Sequence, residues 1–476
     1  MIVMKFGGTS VGDGKRILEV AKIIASEQDR QPVVVVSAMS QVTNSLLELA
    51  DIMLHPKHQA KLTAGIDRLR RQHSEAAKAL GLQPLIEKEL MSSLDSCFAN
   101  LDSVLADIAT LGELTPQDHD LILSFGERFA THLLVAALRQ LGMTAVALEG
   151  SELIITDSVF GNASPLFKAS CQQMKPKLQP LLKDNITPVI TGFMGATETG
   201  QVTTLGRGGS DYSATIIGHC MEAAEVWIWT DVDGIMTADP RAIKGAHTIK
   251  SLSYDEAAEL SYFGAKVLHP RTMVAAARGN TPIYIKNTFH PEAVGTKITH
   301  EASQHPNGAK ATTVLSPLSL ITIQGKGMQG VLGVAAKVFT TLAKQQINVF
   351  FISQASSENN ISLAVNAGDG GRAVDSLTKA FQDEFATKNL EAVREETHVA
   401  MIAVVGEGMR HRAGIAGRIF STLGRVNINV IAIAQGSSER NISFIVDQDD
   451  AALALQSVHD ELHLENGASS KKRVAV

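Results

Sequence analysis

Apolar positions along the chain switch between two periods. Ile2 to Phe6 is an apolar run interrupted only by Lys5, and Gly7 and Gly8 follow it. Ile17, Val20, Ile23 and Ile24 then recur at helical spacing between Asp13 and Gln28, before Pro32 opens the β-branched run Val33 to Val36. This strand, glycine loop, helix and strand predict the start of an α/β domain. From Asn44 to Leu111 the pattern is mostly helical, and Leu121 to Leu141 is helical again, broken near Ser124 to Glu127. Strand-like runs return at Ala145 to Leu148, Pro188 to Thr191, Val226 to Trp229 and Pro282 to Lys286. Helical segments near Phe167 to Leu182 and Asp211 to Met221 lie between them. The alternation predicts one large, mainly parallel α/β sheet sandwiched by helices.

The polar stretch His290 to Gly308 contains two prolines and two glycines, which sets a first domain at 1–290 and a linker at 291–311. Beyond it lies an internal repeat. Leu318 to Val365 aligns without gaps to Val399 to Val446 at an offset of 81, with 21 of 48 positions identical. INVFFISQASSENNISLAV (Ile347 to Val365) meets INVIAIAQGSSERNISFIV (Ile428 to Val446). Each copy reads strand, turn, helix, strand, turn, strand, with helices following near Gly371 to Phe385 and Asp450 to Leu462. Two ferredoxin-like βαββαβ modules are expected, at 312–396 and 397–476, the second ending in a short strand at Arg473 to Val476.

Composition narrows the class. The 476 residues are 45% apolar and 19% charged, with 43 Lys plus Arg against 49 Asp plus Glu. That excludes general disorder, and the net charge of −6 argues against nucleic-acid binding. Cys97, Cys171 and Cys220 stand far apart with no metal-ligand spacing. They read as three packed thiols in a reducing, cytoplasmic compartment, and no metal-ligating residue is assigned. The N-terminus lacks a signal-peptide pattern, and no uncharged apolar run approaches 18 residues, so neither a leader nor a membrane span is expected.

Several segments carry candidate chemistry. KFGGTS places Lys5 and two glycines directly after a strand, where backbone amides and a helix N-terminus can meet an anion, or where the chain simply turns. In TTLGRGGSDYSA (Thr203 to Ala214), glycines surround Arg207, and Ser210-Asp211 opens a helix. The guanidinium suits a carboxylate or phosphate, and Asp211 can organise a lysine or Mg²⁺; alternatively Ser210 or Asp211 caps the helix. WTDVDG (Trp229 to Gly234) ends an apolar strand, the usual ligand side of an α/β sheet, so Asp231 and Asp233 are candidates for a nucleotide or metal. DPR adds Arg241, FGAKVLHP adds Lys266 and a packed or capping His269, and SFGER adds Glu127 beside Arg128, an ion pair being the simpler reading there. GKGMQG (Gly325 to Gly330) matches GxGxxG but lacks the acidic residue a dinucleotide site needs, with Ser353 and Gln354 in that place.

Taken together, KFGGTSV, Thr43-Asn44, Gly126-Glu127, LGRGGSDY, WTDVDG, DPR and FGAKVLHPRT resemble, in order and approximate spacing, the aspartate kinases of the amino acid kinase family. The repeat resembles their paired ACT domains. The likeness covers nearly the whole chain and is strongest to the kinase and ACT portion of bifunctional aspartate kinase–homoserine dehydrogenases. It implies an amino acid kinase fold followed by two ACT modules. It also implies γ-phosphoryl transfer from MgATP to the side-chain carboxylate of L-aspartate, the first step of aspartate-family amino-acid biosynthesis. By the same resemblance, Lys5, Gly7, Gly8 and Lys266 contact phosphate, and Asp211 orients the cations. Ser37, Thr43, Glu127, Arg207 and Ser210 hold aspartate, with Arg207 on the α-carboxylate and Glu127 on the α-ammonium. Thr230, Asp231 and Arg241 line the nucleotide pocket, where Met236 replaces a tyrosine common in relatives.

The ACT likeness implies a homodimer or higher homo-oligomer and a feedback ligand, L-threonine or L-lysine. Asn348, Gln354, Asn429 and Gln435 are its candidate contacts, because glutamine amides bind both ammonium and carboxylate. Two other readings stay open: a kinase for another small carboxylate, and an inactive amino-acid sensor.

Overall fold

The computed structural model describes residues 1–263, 268–303, 305–328, 331–354 and 359–464. The chain forms two compact units. The first holds residues 1–235, 250–257 and 268–302; the second holds 236–249, 258–263 and the described residues from 303 onward. Residues 236–249 and 258–263, read from sequence as part of the first domain, thus pack with the second unit.

In chain order the first part comprises β1 (Ile2–Phe6), α1 (Gly14–Ser26), β2 (Pro32–Val36), α2 (Val42–Ile52), α3 (Gln59–Ala79), α4 (Pro84–Leu111) and α5 (Pro116–Gln140). Then come β3 (Ala145–Leu148), β4 (Ile155–Thr156), α6 (Phe167–Lys183), β5 (Thr187–Thr191), β6 (Met194–Thr197), β7 (Val202–Thr204), α7 (Gly209–Cys220) and β8 (Glu225–Thr230). β9 (Ser251–Ser253), α8 (Tyr254–Tyr262), α9 (Pro270–Gly279), β10 (Ile283–Asn287) and β11 (Thr296–Thr299) complete it. Eight strands form one sheet in the order β3-β5-β2-β1-β8-β10-β11-β9. The first six run parallel, while β11 is antiparallel to β10 and parallel to β9. β1 and β2 are buried at every position, as strands covered on both faces must be, which is why they read as near-continuous apolar runs, Lys5 excepted. β11 lies inside the stretch read from sequence as a linker.

Two helix groups cover the sheet. α5 packs on β2, β3 and β5 and against α1, and the apolar side of α1 joins Met4, Phe6 and Trp229 in the main core. α7 crosses the opposite face over β1, β2 and β8. α5 is set by a capping box, in which Thr115 accepts from the Asp118 amide and Asp118 accepts from that of Thr115, with Pro116 at the first helical position. It is continuous through Ser124–Glu127, so the expected break is absent. α5 is long and apolar enough to cross a bilayer, but its central window is 83% buried inside the unit, as befits a core helix.

α6 and α7 are joined by a disulfide between Cys171 and Cys220, whose Cα atoms lie 4.6 Å apart, while Cys97 is a free, half-buried thiol. This corrects the reading of three packed thiols and removes the compartment argument that rested on it. Sequence spacing concealed the pair, because packing of α6 on α7 brings together cysteines 49 residues apart.

The second unit is built on β12 (Ala311–Gln324), α10 (Val334–Lys344), β13 (Phe351–Gln354), β14 (Asn360–Asn366), α11 (Gly370–Ala380), α12 (Gln382–Ala386), β15 (Ala392–Val405), α13 (Ile415–Arg425), β16 (Ala432–Gln435), β17 (Asn441–Asp447) and α14 (Ala451–Glu461). All strands pair antiparallel in the order β13-β14-β12-β15-β17-β16. The two long strands are shared. Leu318 to Gln324 of β12 pairs with β14 in the first module, whose outer place is taken by residues 392–396 of β15. Val399 to Val405 pairs with β17 in the second module, whose outer place is taken by Ala311 to Leu315. The strand expected at Arg473 to Val476 lies outside the described residues. The helices α10 and α11 pack on one module's core and α13 and α14 on the other's. The opposite sheet face curls around Leu318, Leu320, Phe351, Val399, Met401 and Ile445, and the edge strands meet where Ser353 Oγ donates to the Ile433 carbonyl. Residues 236–249 lie on the second module: Ala238 and Ile243 enter its core, and Thr237 Oγ1 lies 3.1 Å from His459 Nε2.

Candidate active site

Alternation along β1 sends Met4 and Phe6 toward α1 and Lys5 toward α7. There the Lys5 ammonium meets the Asp211 carboxylate at 2.5 Å, with both side chains about nine-tenths buried. A buried pair of this kind holds its lysine at one place instead of leaving it to swing in solvent. Asp211 sits in the first turn of α7, and the cap residue is Gly208, which makes no side-chain bond. Neither Ser210 nor Asp211 is the cap, so the simpler alternative for both falls away. Of the two loop glycines, Gly7 donates its amide to the Trp229 carbonyl at 3.2 Å. A Cβ on Gly8 would stand 2.9 Å from the Ala38 carbonyl oxygen, so the two strand-end loops pack backbone to backbone.

Glu127 faces that junction from the middle of α5 and is 3% exposed. Its Oε1 accepts the Ala38 amide at 3.1 Å, and its Oε2 has no hydrogen-bond partner among the described residues. Burial pushes the carboxyl up to about 8, against the opposing pull of the Ala38 amide and the Lys5 charge. Gly126 explains how the helix comes so near: a Cβ there would lie 2.7 Å from the Ala38 Cβ. Arg128 pairs with Glu149 at 3.0 Å, which leaves Glu127 free of it. Ser37 follows β2 and Thr43 opens α2, both half-buried on the same strand-end side.

Arg207 stands on a loop whose flanking glycines have φ of 75° and 70°, conformations that an L side chain would strain. The Gly208 backbone presses on His269, where a Cβ would come within 2.5 Å. His269 caps α9 by accepting from the Arg271 amide, as one of its sequence readings held. Arg207 itself is exposed and has no ion pair among the described residues. Its neighbour Ser210 is buried against Gly192.

Thr230 ends β8 and donates its hydroxyl to Asp231 at 3.2 Å. Asp233 meets Asn287 at 2.6 Å and His290 at 3.1 Å, both through Oδ1, and so anchors the end of β10. Arg241 belongs to the second unit, where it pairs with Asp239 at 2.7 Å. Lys266 lies outside the described residues, as do Gln329 and Gly330 of the GKGMQG run and residues 355–358 of the repeat. Asn348, Gln354, Asn429 and Gln435 are exposed, at or near the edge strands β13 and β16.

The sequence pattern of the amino acid kinase family matches residues 1–287, and that of an ACT domain matches 321–381 and 402–462. Aspartokinase 3 of Arabidopsis thaliana is 35% identical over 96% of the chain and 80% of its own length. The chain belongs to the aspartokinases. Its likeness to the bifunctional aspartokinase/homoserine dehydrogenase 1 of the same plant is 33% over 97% of the chain, and the chain spans about half the length of such bifunctional relatives. Among solved structures, Escherichia coli aspartokinase III in complex with aspartate and ADP superposes with a TM-score of 0.80 at 30% identity, covering 97% of this chain and 100% of that one. The same protein with lysine and aspartate also gives 0.80.

Within this aspartokinase scaffold Asp211 is paired with Lys5, and Asp233 is held through Oδ1 by Asn287 and His290. That donor set fits a Mg²⁺ carried in on nucleotide phosphates and waters more than one held by a protein cage. Two residues escaped the sequence reading. Phe193 has φ of 70° beside Gly209, held by its amide donating to Ser213 Oγ. Asp120 is fully buried in α5 and accepts the Gly161 and Thr204 amides and the Thr204 hydroxyl, tying α5 to the strand before the Arg207 loop. A carboxylate on an apolar helical face was the available signal for Asp120; only the adjacent glycine hinted at Phe193.

Proposed function

We propose that this protein transfers the γ-phosphoryl group of MgATP to the side-chain carboxylate of L-aspartate, giving 4-phospho-L-aspartate and ADP. The observation that carries the reading is Glu127, a buried carboxylate with one oxygen unpartnered among the described residues, under the influence of the Lys5 charge. Such a group awaits a cation, and the α-ammonium of an amino acid supplies one. Arg207, without an ion pair among the described residues, takes the α-carboxylate bidentately, and Ser37, Thr43 and Ser210 complete the substrate set. The attacking carboxylate is already ionised at neutral pH, so no general base is needed. Lys5, fixed by Asp211, and the Gly8 amide offset the charge that develops on the transferring phosphoryl group, with Lys266 as a second cation. Thr230, Asp231 and Arg241 hold the nucleotide, and a Mg²⁺ carried on its phosphates would neutralise part of their charge.

The ACT pair binds an amino-acid effector, L-threonine or L-lysine, through Asn348, Gln354, Asn429 and Gln435, and mediates homo-oligomerisation. Residues 236–249, which carry Arg241, are packed on the second module. The test is ADP release with MgATP and L-aspartate, with and without millimolar threonine or lysine. Aspartate-dependent turnover that falls by about 10²–10³-fold in Lys5→Ala supports the assignment. Turnover independent of aspartate, or undiminished in that variant, would overturn it.

A further inference from the structure

The face of the sheet opposite Lys5 carries a second cleft. β8 and β10 run parallel with Trp227 beside Tyr284 and Trp229 beside Lys286. Alternation puts these four side chains on the α1 side, whereas Lys5 and Thr230 point to the α7 side. Between them and α1 lies a cavity of about 560 Å³, within the size range of small-molecule sites. Its floor is aromatic: the Trp227 ring centroid is 6.0 Å from that of Trp229 and 6.4 Å from that of Tyr284, and Phe289 at the rim is 45% exposed.

Two cations of this cleft await an anion. The Lys286 ammonium sits over both indoles, 4.9 Å from the Trp227 centroid and 5.3 Å from that of Trp229. It has no ion-pair partner among the described residues, and burial holds it below the usual lysine range. Beneath it the Trp229 indole N–H is buried without an acceptor among the described residues, although that of Trp227 donates to Glu225 at 2.7 Å. At the rim, Lys22 is taken by Glu19 and Arg16 by Asp13, which leaves Lys15 as a second unpaired cation among the described residues. An unpaired buried donor costs free energy that an incoming acceptor recovers.

We propose that this cleft binds a small planar aromatic carboxylate, its ring beside the exposed Phe289 at the rim and its carboxylate on the ammonium groups of Lys286 and Lys15. The site is separate from phosphoryl transfer. The chain has two tryptophans and both line the cleft, so intrinsic fluorescence reports on it directly. Benzoate is the probe, with benzylamine as its charge-reversed control, at constant ionic strength. For a ligand this small, saturable quenching with a Kd of about 1–10 mM is expected. The midpoint stays the same in saturating ADP, weakens at least tenfold in Lys286→Met and weakens severalfold in Lys15→Ala, an exposed position that folding does not depend on. No saturation by about 50 mM, equal binding of benzylamine, or an unchanged midpoint in both variants would overturn the proposal. So would competition by ADP, which would give the cleft to the nucleotide. A fluorescence change with protein concentration alone would give it to a second copy of the chain.

Discussion

Replacing Glu127 by glutamine keeps the shape of the side chain and removes its charge. The Ala38 amide, 3.1 Å from Oε1, retains an acceptor, so the junction between α5 and the strand-end loop survives. What changes is the unpartnered Oε2, which becomes a donor facing the expected place of the α-ammonium. Breaking a buried charge pair from one side costs about 2–4 kcal/mol here, toward the lower end of measured cases because an amide remains. KM for aspartate then rises by about 30- to 1,000-fold, while KM for ATP stays within about threefold. A second readout is independent of the first. With a carboxyl pushed up to about 8, only about a tenth of wild-type molecules carry the charge at pH 7. kcat/KM for aspartate therefore climbs nearly tenfold per pH unit from pH 6 and flattens above 8, and Glu127→Gln is flat across that window. Stability distinguishes this from misfolding. The folded pKa lies above the ordinary 4.5, so the native state holds the extra proton and wild-type stability falls as pH rises from 4.5 through 8. The glutamine variant lacks that loss and is at least as stable as wild type at pH 8. An unchanged KM for aspartate, or a wild-type profile without an inflection near 8, would refute the role given to Glu127.

Other perturbations have signs fixed by the same reasoning. Asp211→Asn leaves Lys5 buried without its counter-charge and lowers unfolding free energy by about 3–5 kcal/mol in denaturant titration, along with kcat. His73 is buried against Phe98 and Phe129, and desolvation lowers its pKa to about 4. Its folded pKa lies below 6.5, so stability is fully present above 6.5 and falls by about 3 kcal/mol as pH drops from 6.5 through 4; thermal melts of His73→Leu show that slope removed. Alkylation under denaturing, non-reducing conditions labels Cys97 alone, and prior reduction exposes Cys171 and Cys220. Cys220→Ser lowers stability by about 2–4 kcal/mol, as expected for a bridge closing a 49-residue separation, and labelling of all three thiols without reductant would refute the bridge.

What could be read from sequence follows the physics of each signal. β1, β2 and β8 were plain because parallel strands covered on both faces must be apolar at nearly every position. The α5 break was misread for a related reason. Gly126 looked like a helix breaker, yet its use is to let the helix approach Ala38, a packing role that local propensity cannot express. The departure of residues 236–249 to the second unit had no periodic signal, since that stretch forms only a bridge between Met236 and Thr248. In the active site, residue types announced Lys5, Glu127 and Arg207, but not their pairing. That Asp211 takes Lys5, that Gly7 spends its amide on Trp229 and that Asp233 serves β10 are facts of tertiary contact. The Cys171–Cys220 pair belongs to the same class.

The repeat shows most clearly how a sequence period differs from a structural unit. Its period of 81 residues marks two copies, and each copy carries its own helices and its own apolar core. Neither copy owns its complete sheet. The outer strand of the first module is residues 392–396, contiguous with the central strand of the second; the outer strand of the second is Ala311 to Leu315, contiguous with the central strand of the first. Cutting between the copies would strip an edge from both and expose unpaired backbone along β12 and β15. The stable object is therefore the pair, and a displacement of one module is carried into the other along two continuous strands. With residues 236–249 packed on the second module, that path runs from either edge strand to the segment bearing Arg241 without leaving the unit.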